Sequence, residues 1–147
     1  MAKLITKKSS QIVTKDSDGI PNGYLVPIYN SNDNFYPDGR YPEQAYLTVI
    51  TKNTIKGPHL HYIRTGCFTC IKGNARFIVK VEGSYEIFLS GEDNDYLSVI
   101  VPVGTPAALQ NIGESDALIL NMPYPAWTPD MNDEYTDDFS DFDFSKY

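Results

Sequence analysis

Histidine is scarce in this chain: two residues among 147, with only two cysteines and one tryptophan. Two cysteines cannot build a disulfide framework, and Cys67 and Cys70 stand alone as one C-x2-C. Half a zinc site and a redox pair are the functional readings. Tetrahedral zinc needs four ligands, and the only further candidates nearby are the two histidines just upstream. A thioredoxin-type pair would open a helix, whereas residues 71–74 (Ile-Lys-Gly-Asn) read as a hairpin turn. On a regular strand positions 67 and 70 face opposite ways. Two buried or half-buried structural thiols are therefore expected.

Cations are short as well. Twelve Lys and Arg against nineteen Asp and Glu leave a formal charge of −7. A phosphate backbone would be repelled, which argues against a nucleic-acid partner, while a local patch of Lys and Arg can still hold a small anionic ligand. No apolar run approaches the roughly 18–20 residues that span a bilayer, so no membrane partner is expected. The first eight residues (Met-Ala-Lys-Leu-Ile-Thr-Lys-Lys) lack the apolar core of a signal peptide, and a cytoplasmic location is the default.

Tyrosine, phenylalanine, glycine and proline are plentiful. Aromatic and β-branched residues favour strands and Gly and Pro mark turns, so the composition leans to all-β. Strands are expected at 24–29, 44–51, around the histidines, at 68–71 and 75–82 about a Gly73-Asn74 turn, and in four more runs up to Met122. About nine short strands at near-regular spacing, with no convincing helix before residue 128, indicate a sandwich or barrel. The whole chain, 1–147, is expected to be one domain with its core at about 44–128. An acidic, aromatic tail follows at 129–147, where Phe139 and Phe142 could dock a short helix whereas the acids favour solvation; a tail packed onto the barrel or a partner subunit is expected over a free one.

The two histidines, His59 and His61, are spaced i and i+2. Residues two apart on a strand share a face, so both imidazoles project together. Two such groups in a cavity can move protons near neutral pH, although two histidines on an ordinary β-strand can also be hydrogen-bonded core or surface residues. Arg40, Tyr41 and Tyr46 flank a loop with Pro37-Asp38-Gly39 at its tip, and aromatic-plus-Arg loops often cover ligand pockets. Trp127 and the tyrosines could equally be packing.

The run Gly57, His59-Leu60-His61 and Gly73 resembles the first motif of the cupins, and Pro102, Gly104 and Asn111 resemble the second. The resemblance covers about residues 44–128 and implies a double-stranded β-helix, or jelly roll. Metal cupins hold Fe, Mn, Ni or Zn with three histidines and a carboxylate. Here Ala107 stands at the third histidine and Thr65-Gly66-Cys67 where the acid would fall, so no metal and no cofactor are expected. An incomplete metal shell remains an alternative.

Lys56-Gly57-x-His59-x-His61 is similar to the RmlC-like cupins acting on deoxythymidine-diphosphate sugars: the 3,4-ketoisomerases of 4-keto-6-deoxy sugars and the 3,5-epimerases of dTDP-4-dehydrorhamnose. Leu60-His61-Tyr62 matches the epimerase's Leu-His-Tyr. This resemblance implies a homodimeric isomerase that binds a nucleotide-sugar and works through an enolate. Epimerisation is the leading expectation; ketoisomerisation, or binding a sugar or nucleotide without turnover, are the alternatives. It also implies roles: His61 as base, His59 as its neighbour or second proton carrier, and Tyr124 as general acid. Lys56 would hold the diphosphate, with Arg64 or Arg76 supplementing it, and Tyr46 and Trp127 would contact the ligand. Trp127 stands in the epimerase's Pro-acid neighbourhood, and Cys67 where its enolate-stabilising cation would be.

Overall fold

The computed structural model describes residues 3–147. In chain order the strands are β1 (Thr6–Ser9), β2 (Ile12–Lys15), β3 (Pro21–Leu25), β4 (Tyr46–Ile50), β5 (Ile55–Leu60) and β6 (Gly66–Lys72). They continue as β7 (Asn74–Val81), β8 (Ser84–Gly91), β9 (Tyr96–Val101), β10 (Ala107–Asn111), β11 (Ala117–Asn121) and β12 (Tyr135–Thr136). Two five-stranded antiparallel sheets form, ordered β1-β9-β6-β11-β4 and β12-β5-β10-β7-β8, and β2 and β3 make a separate hairpin. The two sheets enclose one inner core as a sandwich, one of the two architectures, sandwich or barrel, that the strand pattern left open. Among the described residues there is no α-helix, only two single-turn 3-10 segments, and no helix long and apolar enough to cross a membrane.

Alternation along each strand builds that core. Phe77 and Val79 of β7 face inward to meet Val99 of β9, Ile119 of β11 and Ile50 of β4. Each such side chain, fully buried, contributes roughly 1.5–3 kcal/mol from removal of apolar surface. Arg76 and Ile78 alternate with these and face the other way, yet both are buried too, because the C-terminal tail lies across the outside of this sheet. Phe139, Phe142 and Phe144 pack there on Ile78, Ala108 and Tyr85. The tail forms no helix. Asp138 and Asp143 accept hydrogen bonds from the backbone N–H groups of Ser140 and Ser145, two residues on, a local bonding pattern that competes with helix.

The outside of the other sheet is covered by the segment between β3 and β4. Ile28, Tyr29, Phe35 and Tyr36 lie over Cys67, Ile100, Met122 and Tyr124, and the Tyr36 hydroxyl donates to the Met122 carbonyl at 2.6 Å. The strand expected at 24–29 ends at Leu25, and Pro27 instead offers its carbonyl to Ser9 Oγ at 2.9 Å. Cys67 packs in this outer cluster and Cys70 in the inner core, both free thiols on opposite faces of β6. Burial pushes Cys67 up to about 11 and Cys70 up to about 12, so both are protonated and unreactive at neutral pH.

Candidate active site

The site begins with an irregularity in β5. Its ladder with β10 sets His59 opposite Ala107 and Lys56 opposite Leu109, so that two residues, Gly57 and Pro58, stand against Ala108 alone. This bulge turns Lys56 and His59, which a regular strand would point apart, toward the same side. It requires Gly57: its φ is +93°, and a Cβ there would lie 2.8 Å from the Ala107 carbonyl oxygen. His61 follows two residues later. Lys56, His59 and His61 line one cavity of about 430 Å³ between the sheets, with Tyr46 and Thr48 of β4 and apolar walls of Phe68, Val101 and Leu109.

His61 lies just past the end of β5, and its carbonyl accepts the Gly104 N–H at 2.6 Å, which fixes it to the β9–β10 turn. Burial lowers its pKa, and the positive charge of Arg64 lowers it further. Asp133 and Glu134 act in the opposite sense without overcoming this, and His59 adds to the lowering. The imidazole is therefore neutral at pH 7 and can accept a proton. His59 is more open. Its Nδ1 lies 3.2 Å from Glu134 Oε1, a contact that orients the ring.

Glu134 and Asp133 come from the tail. β12 pairs with β5, setting Tyr135 opposite Leu60 and Thr136 opposite His59, and the two acids immediately precede it. Asp133 Oδ1 accepts the N–H groups of Tyr62 and Ile63 at 2.8 and 2.9 Å, and Oδ2 accepts that of Arg64 at 2.9 Å. Burial pushes this carboxyl up, but the amides of Arg64, Tyr62 and Ile63 outweigh it, and its pKa lies below the usual carboxylate range. The turn after the histidines is thus clamped by one buried carboxylate. No apolar periodicity marks these acids; only their presence in an aromatic tail hinted that the segment would dock.

Arg64 lines the cavity with its side chain 13% exposed. Its Nε stands 3.7 Å from Asp133 Oδ2, beyond hydrogen-bond reach, and has no partner among the described residues. A buried donor left without an acceptor costs about 1–3 kcal/mol, which an anionic ligand would recover. Tyr46 is held differently. Asn121 Oδ1 accepts the Cys67 N–H at 3.0 Å, so its Nδ2 must donate, and does so to the Tyr46 hydroxyl oxygen at 2.7 Å. The phenol's own proton remains available for the cavity. Tyr46 is accordingly the tyrosine with an acid's geometry, a role the sequence did not single out.

Other expected site residues lie elsewhere. Arg76 is on the outer face of β7, with Nε donating to Gln110 Oε1 at 2.6 Å, Nη1 to the Lys146 carbonyl at 2.7 Å and Nη2 to that of Phe144 at 3.0 Å. It anchors the tail and does not reach the cavity, because it alternates with the inward Phe77. Tyr124 is also displaced. It is buried in the outer cluster with the Arg40 guanidinium 4.4 Å from its ring centre, while its neighbour Pro123 lines the cavity. Trp127 is half exposed in an adjoining hollow. Cys67, at the position of the expected enolate-stabilising cation, faces the outer cluster.

These side chains do not make a cupin metal shell. Ala107, at the place of the missing histidine, sits directly opposite His59 in the ladder and offers only a methyl group. Among the described residues no three His, Cys, Asp or Glu side chains converge on a common point, so the donor set does not fit such a shell.

No family model matches the chain, and no curated protein matches it. Solved structures do. The QdtA 3,4-ketoisomerase of Thermoanaerobacterium thermosaccharolyticum, a double mutant in complex with TDP, superposes with a TM-score of 0.68 at 13% identity, over 92% of this chain and 88% of that one. A dTDP sugar isomerase from Desulfovibrio desulfuricans gives 0.69 at 13% identity, over 94% and 88%. The Mycobacterium tuberculosis rmlC epimerase gives 0.68 at 17% identity, over 89% and 66%. The chain therefore has the fold of RmlC-like sugar isomerases and epimerases.

Proposed function

We propose that this chain is an isomerase that moves a proton beside the ketone of a nucleotide-linked 4-keto-6-deoxy sugar. The observation that carries the reading is the convergence of a neutral His61, the Glu134-paired His59 and the Tyr46 hydroxyl on one enclosed cavity. A carbon acid next to C=O needs a base for its proton and a donor for the developing oxyanion. His61 takes the proton from C3, and the C–H electrons form a C3=C4 bond as the C4 oxygen gathers charge. Tyr46 supplies a proton to that oxygen, giving an enediol. The Tyr46 phenolate then takes the O3 proton and the protonated histidine pair returns its proton to C4, which leaves the ketone at C3 and restores both groups. Arg64 and Lys56 neutralise the diphosphate.

This is the ketoisomerase branch, and one placement favours it over epimerisation. The tyrosine that an epimerase would use, Tyr124, packs outside the cavity, while both proton-carrying histidines line it. The test is incubation with dTDP-4-keto-6-deoxyglucose in deuterated water. Solvent label at C3 or C4 with none at C5 is the expected result; label at C5 would return the assignment to the epimerases, and tight binding without exchange would leave a binding protein.

The chain works as a homodimer in this reading. The β2–β3 hairpin presents Ile12, Val13, Ile20, Tyr24 and Leu25, all at least half exposed, an apolar patch that a second copy would cover. Light scattering on the eluting protein reads the mass directly. We place the protein in the cytoplasm, where its two free thiols stay reduced.

A further inference from the structure

A buried asparagine is costly unless its amide is hydrogen-bonded, and Asn121 is buried where an apolar row ends. Along β11, Ala117 and Ile119 face the inner core, and Asn121 follows on the same face at the wall of the histidine cavity. In the ladders it stands opposite Tyr46 of β4 on one side and Phe68 of β6 on the other. Two hydrogen bonds in series run through it. The Cys67 backbone N–H donates to Asn121 Oδ1, and Asn121 Nδ2 donates to the Tyr46 hydroxyl oxygen. A backbone N–H can only donate, so the amide cannot turn over without leaving that group unpaired. The direction of the second bond therefore follows from the first. The Tyr46 hydroxyl has no other partner among the described residues, and its proton is left for a ligand in the cavity.

The Asn121–Tyr46 bond also changes strength during the reaction. When Tyr46 gives its proton to the C4 oxygen, the phenolate left behind accepts the same Nδ2–H as a charge-assisted bond, roughly twice as strong as a neutral one. Donation by Cys67 into Oδ1 polarises the amide further toward that charge. An interaction that is stronger after the proton has moved than before accelerates the step. The resemblance puts an enolate-stabilising cation at position 67. Here the thiol turns to the outer cluster, and the backbone N–H is what reaches the site.

We propose that Asn121 is a positioning residue that fixes Tyr46 as a proton donor and relays the Cys67 N–H dipole to the phenolate in place of that cation, an inference that rests on the proton-transfer reading of the cavity. The same bond holds the phenolate until it takes up the O3 proton.

Two substitutions separate polarity from packing. Asn121→Asp keeps an oxygen for the Cys67 N–H but sets a second one against the phenol, which must then donate to it and loses its free proton. Asn121→Leu removes both bonds and leaves the phenol free to donate. The rate of solvent deuterium incorporation into dTDP-4-keto-6-deoxyglucose is measured at about pH 8, where a carboxylate that accepts a backbone N–H is ionised. TDP affinity is read in parallel by calorimetry. Asn121→Asp should slow incorporation about 10²–10⁴-fold, to the level of Tyr46→Phe, and Asn121→Leu only about tenfold, with TDP Kd within a few fold in both. In the Tyr46→Phe background neither should cost more than a few fold further, because the group they act through is gone. Should Asn121→Asp not fold, Asn121→Leu decides alone, by its cost in the wild type against its cost beside Tyr46→Phe. Asn121→Leu slower than Asn121→Asp, or a full further loss in the Tyr46→Phe background, would overturn the proposal, since both mark a structural role. Wild-type turnover in Asn121→Asp would overturn it too, and the isomerase reading survives each of these outcomes. Wild-type protein that binds TDP but incorporates no label would remove that reading, and the relay with it.

Discussion

Glu134 Oε1 stands 3.2 Å from His59 Nδ1, joining the C-terminal tail to the strand that carries both histidines. The contact exists because β12 adds itself to the free edge of β5, and it gives the cavity an acid that no residue near the histidines in sequence supplies.

Replacing Glu134 with Gln should lower kcat about tenfold and move the acidic limb of the pH–rate profile to lower pH. The sign follows from charge: Glu134 raises the His61 pKa, so its loss lets that pKa fall further. In the wild type the limb should already lie below the ordinary histidine value, because a base must be unprotonated to act. His61→Asn should abolish the limb together with activity, with a loss of at least about 10²–10⁴. A pH–rate series on the three proteins reads all of this; an unmoved limb in E134Q would break the link.

Tyr46→Phe should reduce kcat by about 10²–10⁴ while TDP affinity stays within a few fold, since the hydroxyl is asked only for a proton. Tyr124→Phe should leave kcat nearly unchanged, because that ring packs in the outer cluster. Steady-state kinetics on the pair separates the two tyrosines, and a dead Tyr124→Phe that still folds would reverse the assignment.

Asp133→Asn should destabilise the fold by about 1–3 kcal/mol, since an amide cannot accept three backbone N–H bonds with both its heavy atoms. The native carboxylate's pKa is lowered, so its stabilisation is present above the unfolded carboxylate value and lost as pH falls through the native one. Thermal melts from pH 7 down to about 3 should show wild type and variant converging in acid. Parallel curves would mean that the charge is not what matters.

Arg76→Met should lower the melting temperature and loosen the tail, measurable as faster proteolysis after residue 136, yet leave TDP affinity unaltered. Its guanidinium spends its donors on Gln110, Phe144 and Lys146. A selective loss of TDP binding would return Arg76 to the ligand.

Much of this protein is legible from residue order alone. Alternation in β7, the turn at Gly73 and the i, i+2 spacing of His59 and His61 depend on neighbours along the chain, and local rules of strand geometry suffice to read them. Which tyrosine offers a proton to the cavity did not follow. In an extended chain one residue of slip exchanges the two faces, and the path near residue 123 puts Pro123 inward and Tyr124 outward. Arg76 was misplaced for a related reason: the resemblance puts it on the ligand, but its alternation with the inward Phe77 turns it to the outer face, where the tail takes up its donors.

The sequence by itself determined an all-β chain and two imidazoles turned to one side, because both follow from the two-residue period of an extended chain. Only the tertiary structure decided that a bulge at Gly57 brings Lys56 to their side, that Tyr46 keeps a free proton, and that Asp133 and Glu134 return from the tail to clamp and charge the site. Those facts depend on register and on contacts between distant segments, which a local pattern does not encode.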